Sequence, residues 1–165
     1  MKIMHLSDLH LGKRVNEFSM IEDQTYILNE IINIIDEQKP KVIILAGDIY
    51  DKPIPPAEAV ELFDDFLYKL SKRNLYVFII SGNHDSAERI AFGSRLFYKS
   101  GIYLSPVYNG KILPISVDDE CGNINFYMLP FIKPVHVRRF FPDASTSTYT
   151  DALNTVITDM NIDNT

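Results

Sequence analysis

An α/β fold built on a parallel β-sheet is what this 165-residue sequence predicts, and three observations predict it. Strand-length apolar runs occur at Ile3-Met4-His5-Leu6, Val42-Ile43-Ile44-Leu45-Ala46 and Tyr76-Val77-Phe78-Ile79-Ile80. Helical periodicity fills the intervals between them. Each run ends in a cluster of oxygen and imidazole groups: Ser7-Asp8-Leu9-His10, Gly47-Asp48-Ile49-Tyr50-Asp51 and Gly82-Asn83-His84-Asp85. In an open α/β sheet, sites gather outside the carboxyl ends of the strands. Convergence of the three clusters at one rim is therefore expected.

The first run places Asp8 and His10 at a strand's C-terminal end, with His5 expected as a packed sheet residue. A polar loop follows, Gly12 to about Ser19, carrying Lys13 and Arg14. Leu28, Ile31, Ile32 and Ile35 then fall at i, i+3, i+4, i+7, one buried helical face. Pro40 closes that helix and Lys41 opens the second strand, so strand, helix and strand form a right-handed unit with parallel strands. Pro53, Pro55 and Pro56 make a rigid loop whose last proline suits a first helical turn. From Ala57 the stripe Ala59, Leu62, Phe63, Phe66, Leu67, Leu70 is again helical, with Val60 and Tyr68 off it. Those two residues serve either a subunit contact or extra core within one chain.

After the third strand, Ala87 to Tyr98 reads as a single helix. Beyond Ile102, short β-prone runs at Ile112–Val117 and Asn125–Leu129 are separated by turn signals at Asn109-Gly110 and Cys121-Gly122-Asn123. They read as antiparallel strands that extend the sheet or start a second one. Pro130 to Pro142 is a proline-punctuated connection containing His136, Arg138 and Arg139. Leu153, Val156, Ile157 and Met160 form an amphipathic helix capped by the preceding Ser/Thr-rich stretch.

Hydrophobic content of 46% and charged content of 23% belong to a soluble globular chain of one domain. The single Cys121 cannot form an internal disulfide, which suits a reducing cytoplasm. No apolar run is long enough to cross a bilayer, so no membrane partner is expected. His5, Asp8 and His10 interrupt any signal-peptide centre. A net charge of −6 disfavours direct neutralisation of nucleic-acid phosphates. Carboxylates that hold divalent cations nevertheless present positive charge to phosphate. Charge does not decide the partner.

The clusters have the chemistry for such a site. Asp8 and His10 are one residue apart, so in extended geometry both point the same way while Leu9 faces the core. Gly47 lets the backbone turn sharply at Asp48, whose two oxygens can bridge cations ~3.5–4 Å apart. The Asn83 carbonyl is a neutral ligand, and His84 beside it can hydrogen-bond a phosphoryl oxygen or protonate a leaving oxygen. Alone, each is commonplace: a surface Asp, a turn dipeptide, a solvated His. Their combination at three strand ends favours a site.

In these motifs the sequence resembles the calcineurin-like metallophosphoesterase superfamily, whose pattern is D-x-H, G-D-x-x-D and G-N-H-D/E in this order. Within it, Ser7 to Gly12, Gly47 to Asp51, Pro55-Pro56-Ala57, Gly82 to Ser86 and Leu129-Pro130-Phe131-Ile132-Lys133-Pro134 are similar to SbcD-type nuclease subunits, bacterial relatives of the Mre nuclease. The resemblance implies a layered sandwich of mixed β-sheets flanked by helices. It implies that Asp8 and His10 bind a first metal, Asp48 bridges and Asn83 binds a second. His84 would be the phosphate-contacting catalytic histidine, and Asp51 the carboxylate that pairs with it, weighted above Asp85. It further implies Mn²⁺ as cofactor, DNA as substrate, and an SbcC-type ATPase as partner. Exonuclease action on double strands and endonuclease action on single strands or hairpins would serve DNA repair, recombination and replication. A homodimer through Ala57–Lys72 and Ala87–Tyr98 is expected.

The sequence departs from the pattern downstream. A histidine after a further strand and a Gly-His-x-His turn are missing, and His136 in its Pro/Arg-rich connection is expected to be solvated or locally bonded. Residues 1–165 are thus expected to be the N-terminal part of such a domain, incomplete at the C-terminus. They should hold at most one cation well and show little or no nuclease activity. Two other readings stay open: another metallophosphoesterase (phosphatase or phosphodiesterase), and a non-catalytic piece for dimerisation or DNA docking. Lys52-Pro53 after Asp51, where protein phosphatases carry Arg-Gly, lowers the phosphatase option.

Overall fold

The first apolar run forms strand β1 (Ile3–Leu6) of a computed structural model that describes residues 1–120 and 122–162. The predicted polar loop contains a two-rung hairpin, β2 (Arg14–Val15) and β3 (Phe18–Ser19), turned by Asn16 and Glu17 in left-handed conformation. Helix α1 (Ile21–Gln38) buries Leu28, Ile32 and Ile35. It stops where Lys39 turns left-handed at φ 48° ahead of Pro40, which cannot continue a helix. Strand β4 (Val42–Ala46), helix α2 (Ala57–Ser71) and strand β5 (Tyr76–Ile80) follow at the expected places. Pro56 is the N-cap of α2, supplying no N–H where none is needed.

The predicted helix from Ala87 to Tyr98 is broken. It consists of α3 (Ala87–Ile90) and α4 (Ser94–Phe97), separated by a turn in which Gly93 takes φ 76°. That conformation costs glycine nothing and interrupts the helical ladder. Strand β6 (Ile102–Leu104) then joins the sheet, a fourth strand too short to leave a periodic signal. Strands β7 (Pro114–Asp119) and β8 (Gly122–Tyr127) form a separate antiparallel hairpin, so the second of the two alternatives holds. Cys121, within that predicted turn, lies outside the described residues. The Pro-rich connection carries a short helix α5 (Pro134–Arg138), and the chain proceeds to α6 (Tyr149–Asp159). Thr148 caps α6 reciprocally with Asp151, as the Ser/Thr-rich stretch suggested.

The parallel sheet has the order β1-β4-β5-β6. Its central strands are buried on both faces, which is why they read as unbroken apolar runs. On one face α1 and α2 press Ile32, Ile35, Phe63, Phe66 and Leu70 onto Ile43, Leu45, Val77 and Ile79. On the other, the β7–β8 hairpin covers Val42 and Phe78, and the Phe126 ring stacks on Phe78 at 4.5 Å. Helices, parallel sheet and antiparallel hairpin are thus three layers. A smaller core of Ile132, Val137, Ala152 and Val156 seats α5 and α6. Truncating a fully buried side chain such as Phe66 to alanine would cost ~3–5 kcal/mol.

Two side chains depart from expectation. His5 is exposed, because β1 is the sheet's edge strand. Val60 and Tyr68 stay 44% and 60% exposed, so they add nothing to the intrachain core. Among the described residues, no helix is long and apolar enough to cross a membrane.

Candidate metal centre

The loops after β1 and β4 are zipped together beyond the sheet. Asp8 N–H donates to the Gly47 carbonyl at 3.1 Å, His10 N–H to Asp48 at 2.9 Å and Leu11 N–H to Ile49 at 2.9 Å. Asp51 N–H returns a bond to Leu11 at 3.1 Å. Leu11 and Ile49 are completely buried and pin the two loops from below. The side chain of Gln24 on α1 clamps the first loop, donating to the His10 carbonyl at 2.7 Å and accepting from Gly12 N–H at 3.0 Å. Nothing in the sequence singled out Gln24, since its partners are backbone groups that any residue carries.

The loop after β1 is not the extended segment that side-chain alternation predicts. Asp8 and His10 take φ 58° and 44°, and Asp48 takes φ 50°. Three of the seven described non-glycine residues with positive φ are therefore these three. Left-handed backbone costs L-residues roughly 1–2 kcal/mol each, and such strain collects where structure serves a site.

The strained turns bring the side chains together. His10 Nε2 lies 3.8 Å from Asp8 Oδ1 and 3.9 Å from Asp48 Oδ2. One ligand atom from each of Asp8, His10 and Asp48 lies within 4.8 Å of the others. Octahedral metal–ligand bonds of about 2.1 Å would separate their ligand atoms by roughly 3–4.2 Å. The spacing fits one hard divalent cation. Among the described residues, no Lys or Arg forms an ion pair with these carboxylates. Asp48 is 9% exposed, so its charge is poorly screened by water without a cation.

Asp51 sits on the other side of the His10 ring. Its Oδ1 is 3.5 Å from Nδ1, too long for a good hydrogen bond, and Nδ1 is buried with no other acceptor among the described residues. A small movement would let Nδ1–H donate to Asp51 and free Nε2 as a metal ligand, the usual carboxylate–histidine arrangement.

The third cluster packs against the second. A Cβ at Gly47 would lie 2.8 Å from the Gly82 Cα, and one at Gly82 would collide with the Asp48 carboxylate and backbone nitrogen. Only glycine at both places permits this approach. His84 N–H donates to Asp48 Oδ1 at 2.9 Å, leaving Oδ2 for the His10 side. His84 Nδ1–H donates to the Asp51 carbonyl at 3.0 Å; because a carbonyl only accepts, this contact fixes the tautomer. The His84 and His10 rings meet edge to face at 4.8 Å. The expected partnership of Asp51 with His84 thus uses the Asp51 main chain, and its carboxylate faces His10 instead.

Asp85, weighted below Asp51 from sequence, is the most heavily bonded carboxylate of the site. It accepts from Ile49 N–H at 3.1 Å, Tyr50 N–H at 2.9 Å and Gly82 N–H at 2.8 Å. It ties the second cluster to the third. Burial, with Asp85 and Asp64 adding to it, pushes the neighbouring Tyr50 phenol up to about 12. Asn83 opens with Asp8 and Asp48 onto one cleft of about 380 Å³. His136 lies elsewhere, its Nδ1 accepting from Lys133 N–H within α5.

Compared with known families, residues 1–154 match calcineurin-like phosphoesterase. The chain is 37% identical over 158 residues to a protein from Staphylococcus saprophyticus named as the SbcD component of nuclease SbcCD, covering 95% of this chain and 41% of that protein. It is 35% identical over 167 residues to a protein of the same name from Staphylococcus epidermidis, covering 99% of this chain and 44% of that one. The chain spans less than half the length of these curated relatives.

Proposed function

The chain belongs to the calcineurin-like phosphoesterase family, and from that premise we propose that it is the metal-binding portion of a DNA nuclease subunit. The observation that carries this reading is the convergence of Asp8, His10 and Asp48 at one rim, with an imidazole from His84 beside them. In the proposal, Asp8, His10 and Asp48 hold a first divalent cation, Mn²⁺ by preference. Asp48 and Asn83 contribute to a second. Bound there, divalent cations supply Lewis-acid charge and lower the pKa of water for attack on phosphorus.

The residues of the chain then have separate tasks. Asp48 offers one oxygen to each side of the centre. Asp51 orients His10 through its carboxylate and His84 through its carbonyl. That second contact leaves His84 Nε2 free, so His84 can pass a proton from Nε2 to a leaving oxygen or hydrogen-bond a nonbridging oxygen as the imidazolium. Four ligand side chains give sparse coordination for two hard cations, so residues 1–165 are proposed to retain one ion firmly and to hydrolyse DNA weakly.

The names of the relatives support DNA as substrate and an SbcC-type ATPase as partner. Exposed Val60, Tyr68, Phe92 and Leu96 on α2 and around α4 support a homodimer through those helices. Electron paramagnetic resonance titration with Mn²⁺ tests the centre: wild type should bind about one ion, and Asp48→Asn should lose it. Hydrolysis of linear duplex DNA in preference to p-nitrophenyl phosphate by a longer chain would support the nuclease reading. The reverse preference would favour a phosphatase, and absence of any Mn²⁺ site in wild type would overturn the metal centre itself.

A further inference from the structure

The cleft beside the metal cluster has two unlike walls. One is polar, made by Asp8, Asp48 and Asn83, and the other consists of Phe131, Tyr149 and Leu153. The Phe131 and Tyr149 rings lie 6.1 Å apart, inclined by 33°, and the two residues are 36% and 51% exposed. Nothing in the roles proposed above uses them.

Both rings are held in place from beneath. Phe131 N–H donates at 2.8 Å to the carbonyl of Ser81, the residue before Gly82-Asn83. The next residue, Ile132, is 3% exposed and anchored in the core shared with Ala152 and Val156 of α6. Tyr149 opens α6 directly after the Thr148–Asp151 cap, whose reciprocal bonds measure 3.1 and 3.0 Å. Leu153 follows one turn later on the same helical face. The aromatic wall is thus a rigid feature joined to the turn that carries Asn83 and His84.

A ligand matching both walls needs an anionic group for the cation and, a short distance away, a flat apolar face for the rings. A nucleotide unit has both. We infer that Phe131 and Tyr149 form a stacking platform for an unpaired nucleobase of the strand whose phosphate sits at the Asp8–His10–Asp48 centre. The inference rests on the nuclease reading and narrows its substrate: a base inside an intact duplex has both faces occupied, so the platform takes frayed ends and single strands. Stacking on aromatic side chains is tolerant of sequence and is lost with the ring.

The test uses a single-stranded oligonucleotide containing one 2-aminopurine. It is titrated with the 165-residue chain in Mg²⁺ and again in EDTA, following fluorescence quenching and affinity. Wild type should quench the probe. Tyr149→Leu and Phe131→Leu should each bind about 10-fold more weakly and lose the quenching, whereas Tyr149→Phe, which keeps the ring, should retain both. The losses should disappear on an abasic strand and on the annealed duplex. Mn²⁺ affinity of Tyr149→Leu should equal that of wild type. Should Phe131→Leu fail to fold, the half-exposed Tyr149 still carries the comparison. Unchanged binding and quenching by Tyr149→Leu, or an equal loss on the abasic strand, would overturn the platform and leave the aromatic wall as packing or a protein contact. A wild-type chain without a Mn²⁺ site would sink the metal reading, while quenching in EDTA would still decide the platform.

Discussion

Removing the Asp85 carboxylate should loosen the metal centre without touching a proposed ligand. Asp85 Oδ2 accepts from Ile49 N–H and Gly82 N–H, and Oδ1 accepts from Tyr50 N–H. Hydrogen bonds to a charged group contribute about 1.5–3 kcal/mol each, and a buried donor left unpaired costs about 1–3 kcal/mol. The three bonds share one half-buried carboxylate, so their effects will not simply add. Asp85→Ala should destabilise the chain by about 3–5 kcal/mol. Asp85→Asn keeps one acceptor oxygen but turns an amide donor toward a backbone N–H, for a loss of about 2 kcal/mol. In a domain of this size 1 kcal/mol moves the melting temperature by about 2–4 °C, so Asp85→Ala should melt roughly 6–20 °C lower. The same change frees the Gly47 and Gly82 turns to separate, and Mn²⁺ affinity should fall about 10- to 100-fold, as for other supports of metal ligands. Urea denaturation and calorimetric Mn²⁺ titration read the two effects. Wild-type stability and affinity in Asp85→Ala would refute the idea that this carboxylate holds the two turns together.

Further predictions follow the same geometry. Gly82→Ala, whose methyl group must enter the space of the Asp48 carboxylate, should lower Mn²⁺ affinity about 10- to 100-fold in the same titration. Gln24→Ala should cost about 1–2 kcal/mol in urea melts, because the Gly12 N–H and His10 carbonyl lose their partner. The Tyr50 phenol, held up to about 12 mainly by burial, titrates higher folded than unfolded. The folded chain binds more protons across that interval, so this contribution is intact below pH ~10 and up to about 2.7 kcal/mol is lost as pH rises through 12. Tyr50→Phe should show a flatter decline over the same range, and a parallel one would count against the burial argument.

Much of the architecture was legible because it rests on local pattern. A strand buried on both faces must be apolar throughout, and a helix lying on it must repeat its apolar residues every three to four positions, so β4, β5, α1 and α2 announce themselves. The ligand-bearing residues were legible for a related reason: Asp8, His10, Asp48, Asn83 and His84 stand where strands end, the only exit from a sheet whose faces are covered. Short elements were not legible. β6 has three residues, and α3 and α4 have four each, lengths over which no period can be read.

What tertiary structure alone decided is how the three strand ends touch. Sequence predicted an extended Asp8-Leu9-His10, but the rungs to Gly47, Asp48 and Ile49 force left-handed backbone at Asp8 and His10. It paired Asp51 with His84 through a carboxylate, and the fold gives that histidine a carbonyl instead. The tasks of Asp85 and Gln24 were invisible because they bind main-chain groups from distant segments, and main-chain groups leave no mark in a sequence. Residue types along one strand or helix report which face is buried; the partners of a turn depend on where other turns lie, and only the folded chain brings them within bonding distance.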